Sequence, residues 1–127
     1  MKVAHVALWT LDLDGAVEFW RCYFNAEVGE TYHSRRRAGF ISRFVTLPGS
    51  DARIELMTGP WLEEQASVDR TGWDHLAISL GSARAVDELA ARCAADGYLA
   101  SAPRMTGDGY YEAVVTTPDG TRIEVTA

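Results

Sequence analysis

The stretch "HVALWTLDLDGAVEFW", starting at His5, returns 70 residues later as "HLAISLGSARAVDEL", starting at His75. With a one-residue slip, Ala16-Val17-Glu18 falls on Ala85-Val86-Asp87. Further on, "RIELM" (Arg53–Met57) pairs with "RIEVT" (Arg122–Thr126), 69 residues apart, and a Pro/Gly/Asp turn precedes each copy. Two copies of one supersecondary unit are the economical reading, so one half-length plan has to account for both halves of the chain. The match rests on order and spacing, because Val, Ala, Ile and Glu are common residues.

Each copy reads as strand, helix, then three strands. In the first, Val3–Trp9 alternates as a strand, and Asp12 or Asp14 can cap a helix over Gly15–Ala26. Val17, Trp20 and Phe24 recur there at helical spacing, with Phe19 and Tyr23 beside them, an arrangement suited to core or dimer packing. Strands are expected near Val28–His33, Phe40–Leu47 and Arg53–Met57. "TGPWLEEQASVDRTG" is the expected connection, with a helical turn. In the second copy a strand is expected at Asp74–Leu80 and a helix over Ala83–Ala95, capped by Ser82 and ended at Gly97. Strands near Tyr98–Ala102, Tyr110–Thr116 and Arg122–Thr126 follow, with "PRMTGDG" and "TPDG" as the loops between them. The fold class is therefore α+β: one domain of two tandem βαβββ modules, about 1–58 and 73–127, joined by a linker at about 59–72. Their sheets are expected to form a curved mixed cup with the helices on the outer face.

At 127 residues, 47% hydrophobic and 24% charged, the composition is that of an ordinary globular domain. No apolar run is long enough to span a bilayer, and the N-terminus does not read as a secretory signal. Cys22 and Cys93 lie outside any CxxC motif and are expected to be reduced core thiols of a cytoplasmic protein. A net charge of −6 argues against nucleic acid as a partner.

Alternation splits each central strand into two faces. Val6 and Leu8, Ile54 and Leu56, Leu76 and Ile78, and Ile123 and Val125 form aliphatic faces suited to packing under helices. Behind them stand His5, Ala7 and Trp9; Arg53, Glu55 and Met57; His75, Ala77 and Ser79; and Arg122, Glu124 and Thr126. Each residue alone has a plainer reading: glutamates on a solvated sheet face, histidines bonded to backbone carbonyls. Together, two imidazoles and two carboxylates occupy equivalent positions in both copies, and these are the side chains that borderline divalent metals prefer.

On these residues, and on the ending "YYEAVVTTPDGTRIEVT", the chain resembles the vicinal oxygen chelate superfamily over nearly its whole length. That group includes glyoxalase I, methylmalonyl-CoA epimerase, extradiol dioxygenases and the fosfomycin and bleomycin resistance proteins. The resemblance implies His5, Glu55, His75 and Glu124 as ligands of a divalent metal, with Ni, Co or Zn first and Mn or Fe next. It also implies Glu124 as principal base and Glu55 as its counterpart. Glu55 tilts the choice toward glyoxalase-like isomerase or lyase chemistry on a small carbonyl compound, through a metal-stabilised enediolate. The alternatives are an extradiol-type dioxygenase or a resistance-type protein that sequesters an aromatic ligand. The resemblance further implies a small-molecule substrate, no membrane partner, and a homodimer whose metal site is either shared between subunits or held within one.

The substrate side departs from the glyoxalase I pattern. Trp9 stands where that pattern has a basic residue for glutathione, so strict glutathione dependence is not expected. Trp9 is instead a candidate for contact with an aromatic or apolar ligand, or for packing on the second module. Arg53 and Arg122 flank the glutamates and suit an anionic substrate or nearby acids. Tyr110 and Tyr111 straddle a strand, and Tyr111 is the choice to reach the substrate face. Arg35, Arg36 and Arg37 at a hairpin tip read as solvated charge, or as a cover that attracts an anion.

Overall fold

The computed structural model describes residues 1–64 and 71–127. It divides into two compact units, Met1–Glu64 and Gln65–Ala127. The first holds β1 (His5–Trp9), α1 (Leu13–Phe24), β2 (Glu27–His33), β3 (Ile41–Thr46) and β4 (Arg53–Thr58). The second repeats the series as β5 (His75–Ser79), α2 (Ala83–Ala95), β6 (Leu99–Met105), β7 (Tyr111–Thr116) and β8 (Arg122–Thr126). Each forms a four-stranded mixed sheet, in the orders β1-β4-β3-β2 and β5-β8-β7-β6. The α+β class and the tandem βαβββ arrangement are as the repeat predicts. The helical turn expected in the connection falls partly on residues 65–70, which lie outside the described residues.

Local chemistry sets the helix ends. Asp12 caps α1, its Oδ1 accepting the Gly15 N–H at 3.0 Å, so the helix begins two residues before Gly15. It stops at Phe24, before the expected Ala26, because Asn25 turns left-handed at φ 51°. Ser82 caps α2 in the same way, accepting the Ala85 N–H at 3.2 Å, and Gly97 follows its end at φ 82°.

Each helix covers the aliphatic face of its own sheet. In the first unit Val17, Phe19, Trp20, Tyr23 and Phe24 are buried with Val45, Ile54 and Leu56, and Trp20 is 0% exposed. In the second, Val86, Leu89, Ala90 and Cys93 are buried with Ala113, Val115, Ile123 and Val125. Two expectations need correction. Cys22 is exposed and is no core thiol, because it lies on the side of α1 away from Trp20 and Phe24; Cys93 is buried as expected. The segment around Pro103 is not a loop: β6 runs through it to Met105. Strand β6 ends its sheet and carries register irregularities, where a residue without an N–H is tolerated.

Among the described residues, no helix is long and apolar enough to cross a membrane. The two thiols should differ sharply in solution. We expect Cys22 to react with a water-soluble thiol reagent in the native protein and Cys93 only after denaturation. Equal labelling rates by mass spectrometry would contradict the orientation of α1 or α2.

Candidate metal centre

Strand pairing brings the predicted residues together within each unit. In the first, β1 runs parallel to β4 with His5 opposite Arg53 and Ala7 opposite Glu55. Small Ala7 leaves the space beside Glu55 open, and His5 Nε2 comes to 3.9 Å from Glu55 Oε2. The second unit repeats this register, with His75 opposite Arg122 and Ala77 opposite Glu124. There His75 Nε2 lies 3.5 Å from Glu124 Oε2. Both glutamates are half-buried and both histidines are open to solvent on the face away from the helix.

The second pair, at 3.5 Å, stands near the spacing of adjacent ligands on one divalent cation, and the first, at 3.9 Å, is wider. Two ligands with bonds of about 2.0–2.2 Å stand roughly 3.0–3.4 Å apart at right-angle or tetrahedral geometry, and about 4.2 Å apart when opposite. In the second unit, Asp74 Oδ2 meets His75 Nδ1 at 2.8 Å. An ionised carboxylate only accepts, so the ring donates from Nδ1, and Nε2 is the atom that faces Glu124. A proton on Nε2, or a cation between the two atoms, would stabilise that approach. Among the described residues, no group of three or more His, Cys, Asp or Glu gathers to hold a metal ion. What each unit supplies is one nitrogen and one oxygen.

The surroundings of the two pairs differ. Asp74 also accepts from the Arg122 guanidinium at 2.7 Å. Its carboxyl is held below the usual range, first by the hydrogen bond with His75 and then, against some desolvation, by Arg122. The first unit has Ala4 where the second has Asp74, so Arg53 lies over the Phe44 ring at 4.2 Å instead. His5 meets the same ring edge-on at 5.5 Å. Trp9 is on the His5 face and 41% exposed.

Tyr111 does not reach this face. It shares the helix side of β7 with buried Ala113 and Val115, and its hydroxyl donates to Asp87 Oδ1 on α2 at 2.6 Å. That bond, with desolvation, pushes the phenol up. The neighbour on the other side, Glu112, is a residue that the sequence reading does not single out. It is only 8% exposed and touches Arg104 at 3.3 Å. Burial pushes its carboxyl up, the charge of Glu124 and a hydrogen bond with it add to this, and Arg104 opposes. The sequence carries no signal for it, because Ala113, Val114 and Val115 are apolar on both faces; the register sets Glu112 on the side of Val114, which stands opposite Glu124.

A carboxyl raised on folding binds its proton more tightly in the native chain than in the unfolded one. Its stabilising contribution is complete below the ordinary value of 4.5 and disappears as the pH rises through the raised value. Glu112→Gln is neutral throughout, so its melting temperature should fall less than the wild type's between acid and neutral pH. Parallel calorimetric profiles would remove Glu112 from the titrating set.

The fold has known counterparts. The profile described as the glyoxalase/bleomycin resistance protein/dioxygenase superfamily matches residues 2–125. A glyoxylase/bleomycin resistance protein/dioxygenase domain from Frankia sp. EAN1pec superposes with a TM-score of 0.86, at 20% identity, over 99% of this chain and 96% of that one. A glyoxalase I mutant from Zea mays gives 0.79 at 19% identity, over 98% of this chain and 44% of the maize chain. A point mutant of the fosfomycin resistance protein FosX from Listeria monocytogenes, complexed with Mn(II) and 1S,2S-dihydroxypropylphosphonic acid, gives 0.74 at 21% identity, over 99% and 91%. With nearly every residue inside the matched region, the chain belongs to the glyoxalase/bleomycin resistance protein/dioxygenase superfamily.

Proposed function

We propose that this chain is a divalent-metal-dependent, glyoxalase-like isomerase or lyase acting on a small carbonyl compound without strict need of glutathione. The observation that carries the reading is the recurrence of one His–Glu pair at the same register in both units. His5, Glu55, His75 and Glu124 would hold the metal, with the two pairs meeting within one chain or across a homodimer. Nitrogen and oxygen donors suit Ni, Co or Zn, and also Mn or Fe; FosX binds Mn(II) on the same fold. The two cysteines, neither of them in a disulfide, agree with a reducing, cytoplasmic setting.

A bound divalent cation would supply Lewis acidity to the substrate's oxygens. The chain's own groups do the rest. Glu124 takes the proton from the carbon beside the carbonyl and returns it to the neighbouring carbon, with Glu55 as the opposed carboxylate. Glu112, its carboxyl pushed up by burial and by the charge of Glu124, stands beside the base as a second, buried acid. Asp74 fixes the His75 ring so that Nε2 remains the donor. Arg122 is engaged by Asp74, and Arg53 by Phe44, so neither needs to touch substrate for the site to stand.

A second reading, a binding protein that sequesters an aromatic compound, draws on the exposed Trp9. Metal analysis separates the two. Protein purified without added metal should carry or take up about one divalent ion per chain, a complement lost in Glu124→Ala. Asp74→Ala should weaken metal affinity about 10–100-fold with the fold intact. Wild-type protein that takes up no metal under any loading condition would overturn the enzyme reading. Turnover of methylglyoxal with glutathione should be weak or absent, and rates typical of a dedicated glyoxalase I would refute the proposed substrate range. Mixed His5→Ala and His75→Ala chains that regain activity would establish a site shared between subunits.

A further inference from the structure

We infer that the first unit carries a subsite for the planar aromatic part of an anionic ligand, formed by Trp9, Phe40, Trp61 and the Arg37 guanidinium. Strand pairing sets Tyr32, Ser42, Met57 and Trp9 in one row across the sheet, on the face of His5 and Glu55. Trp9 stands edge-to-face with Phe40 at 6.0 Å and with Trp61 at 6.4 Å, and Tyr32 meets Phe40 at 6.3 Å. The Arg37 guanidinium lies over the Trp61 ring at 3.7 Å and 5.6 Å from the centre of Trp9. Trp9 is 41% and Trp61 36% exposed, so the cluster leaves indole surface uncovered.

The cluster is built, and the fold does not require it. The β2–β3 hairpin tip closes on the segment after β4, and this needs two glycines. A Cβ on Gly39, itself at φ 80°, would stand 2.7 Å from Pro60 Cδ, and one on Gly59 would strike the Trp61 ring. The second unit keeps the same sheet with Ser79, Thr126, Glu112 and Arg104 in the matching row. Aromatic side chains are therefore not what this row needs to fold. The Ser42 hydroxyl, buried in the aromatic row, has no hydrogen-bond partner among the described residues.

Charge selects the ligand class. A guanidinium that stacks by its face on an indole keeps its edge N–H donors for hydrogen bonds. No described carboxylate pairs with it, so the donors are available to a carboxylate or another planar anion. A ring would then lie against Trp9 and Trp61 with its acid group on Arg37. The assignment of this ligand as the substrate rests on the metal reading: Trp9 follows the Ala7–Glu55 row by two residues, about 7 Å along the strand. A substrate with its reacting oxygens near Glu55 and an aromatic acid beyond them spans that distance.

The test uses 1-naphthoate and its neutral analogue 1-naphthamide, titrated calorimetrically into the full chain with and without bound metal. We expect naphthoate to bind about tenfold or more tightly than naphthamide, the scale of one charge-assisted pair. Arg37→Gln, an exposed hairpin change, should bring the two ligands level, while Trp61→Leu should weaken both. Equal binding of acid and amide, an Arg37→Gln variant that still prefers the acid, or no binding of either overturns the subsite. So does a sedimentation result in which Trp9→Leu or Trp61→Leu splits a dimer, which would assign the patch to a second copy. Metal-free protein that keeps the Arg37-dependent preference supports the subsite even where metal loading fails. Metal-loaded protein that ignores naphthoate overturns the subsite and leaves the metal reading standing.

Discussion

Parallel pairing of the first and last strand of each unit is the constraint on which the site depends. In a parallel pair the residues opposite one another share a face, so His5 and Arg53 fall on one side, as do Ala7 and Glu55. The imidazole leans along its strand over the small Ala7 and meets the carboxylate of the next row. The same register recurs for His75, Arg122, Ala77 and Glu124. A one-residue slip would turn both polar groups toward the helix and both aliphatic pairs toward water. Burial of Ile54, Leu56, Ile123 and Val125 under α1 and α2 opposes that slip, so the hydrophobic core and the polar pairs are held by one register.

Duplication has kept the pairs and changed what surrounds them. In the second unit Asp74 links His75 to Arg122, and Glu112 adds a buried carboxyl beside Glu124. That environment is polar, charged and suited to holding protons. In the first unit the matching places are Ala4 and Ser42, and Phe44 occupies the position of Val114. The row beyond Glu55 has Trp9 and Tyr32 at its ends, whereas the row beyond Glu124 is polar throughout. One half thus surrounds its His–Glu pair with further acids and an arginine, and the other with Phe44, Trp9 and the Arg37 guanidinium over Trp61. A family with many chemistries on one scaffold is served by this division, because each row can change without disturbing the core on the opposite face.

Much of the arrangement is legible without coordinates. The repeat fixes the element order, and Ser82 announces its helix through ordinary capping chemistry, whereas the first helix leaves Asp12 and Asp14 as equal candidates until the Gly15 N–H is found on Asp12. The four central strands have clean alternation, so the faces of His5, Glu55, His75 and Glu124 can be assigned by parity. Where parity is ambiguous the reading fails. Strand β7 carries Ala113, Val114 and Val115 in succession, apolar on both faces, so the pattern does not reveal that Tyr111 faces the helix or that Glu112 faces Glu124. Pro103 suggests a loop because a proline lacks a ladder donor, yet a strand at the edge of its sheet does not need one. Cys22 looks like a core thiol by residue type, although its position on α1 is opposite Trp20.

The sequence by itself determined the duplicated βαβββ plan, the cap of the second helix, and the face on which each imidazole and carboxylate stands. These follow from local rules: side chains alternate along a strand, and caps act within one turn. Tertiary structure alone decided that Asp74 bridges His75 and Arg122, that Glu112 presses on Glu124, and that Arg37 stacks on Trp61. Those contacts join residues brought close by sheet pairing and by two tight glycine turns, over sequence separations that no local periodicity encodes.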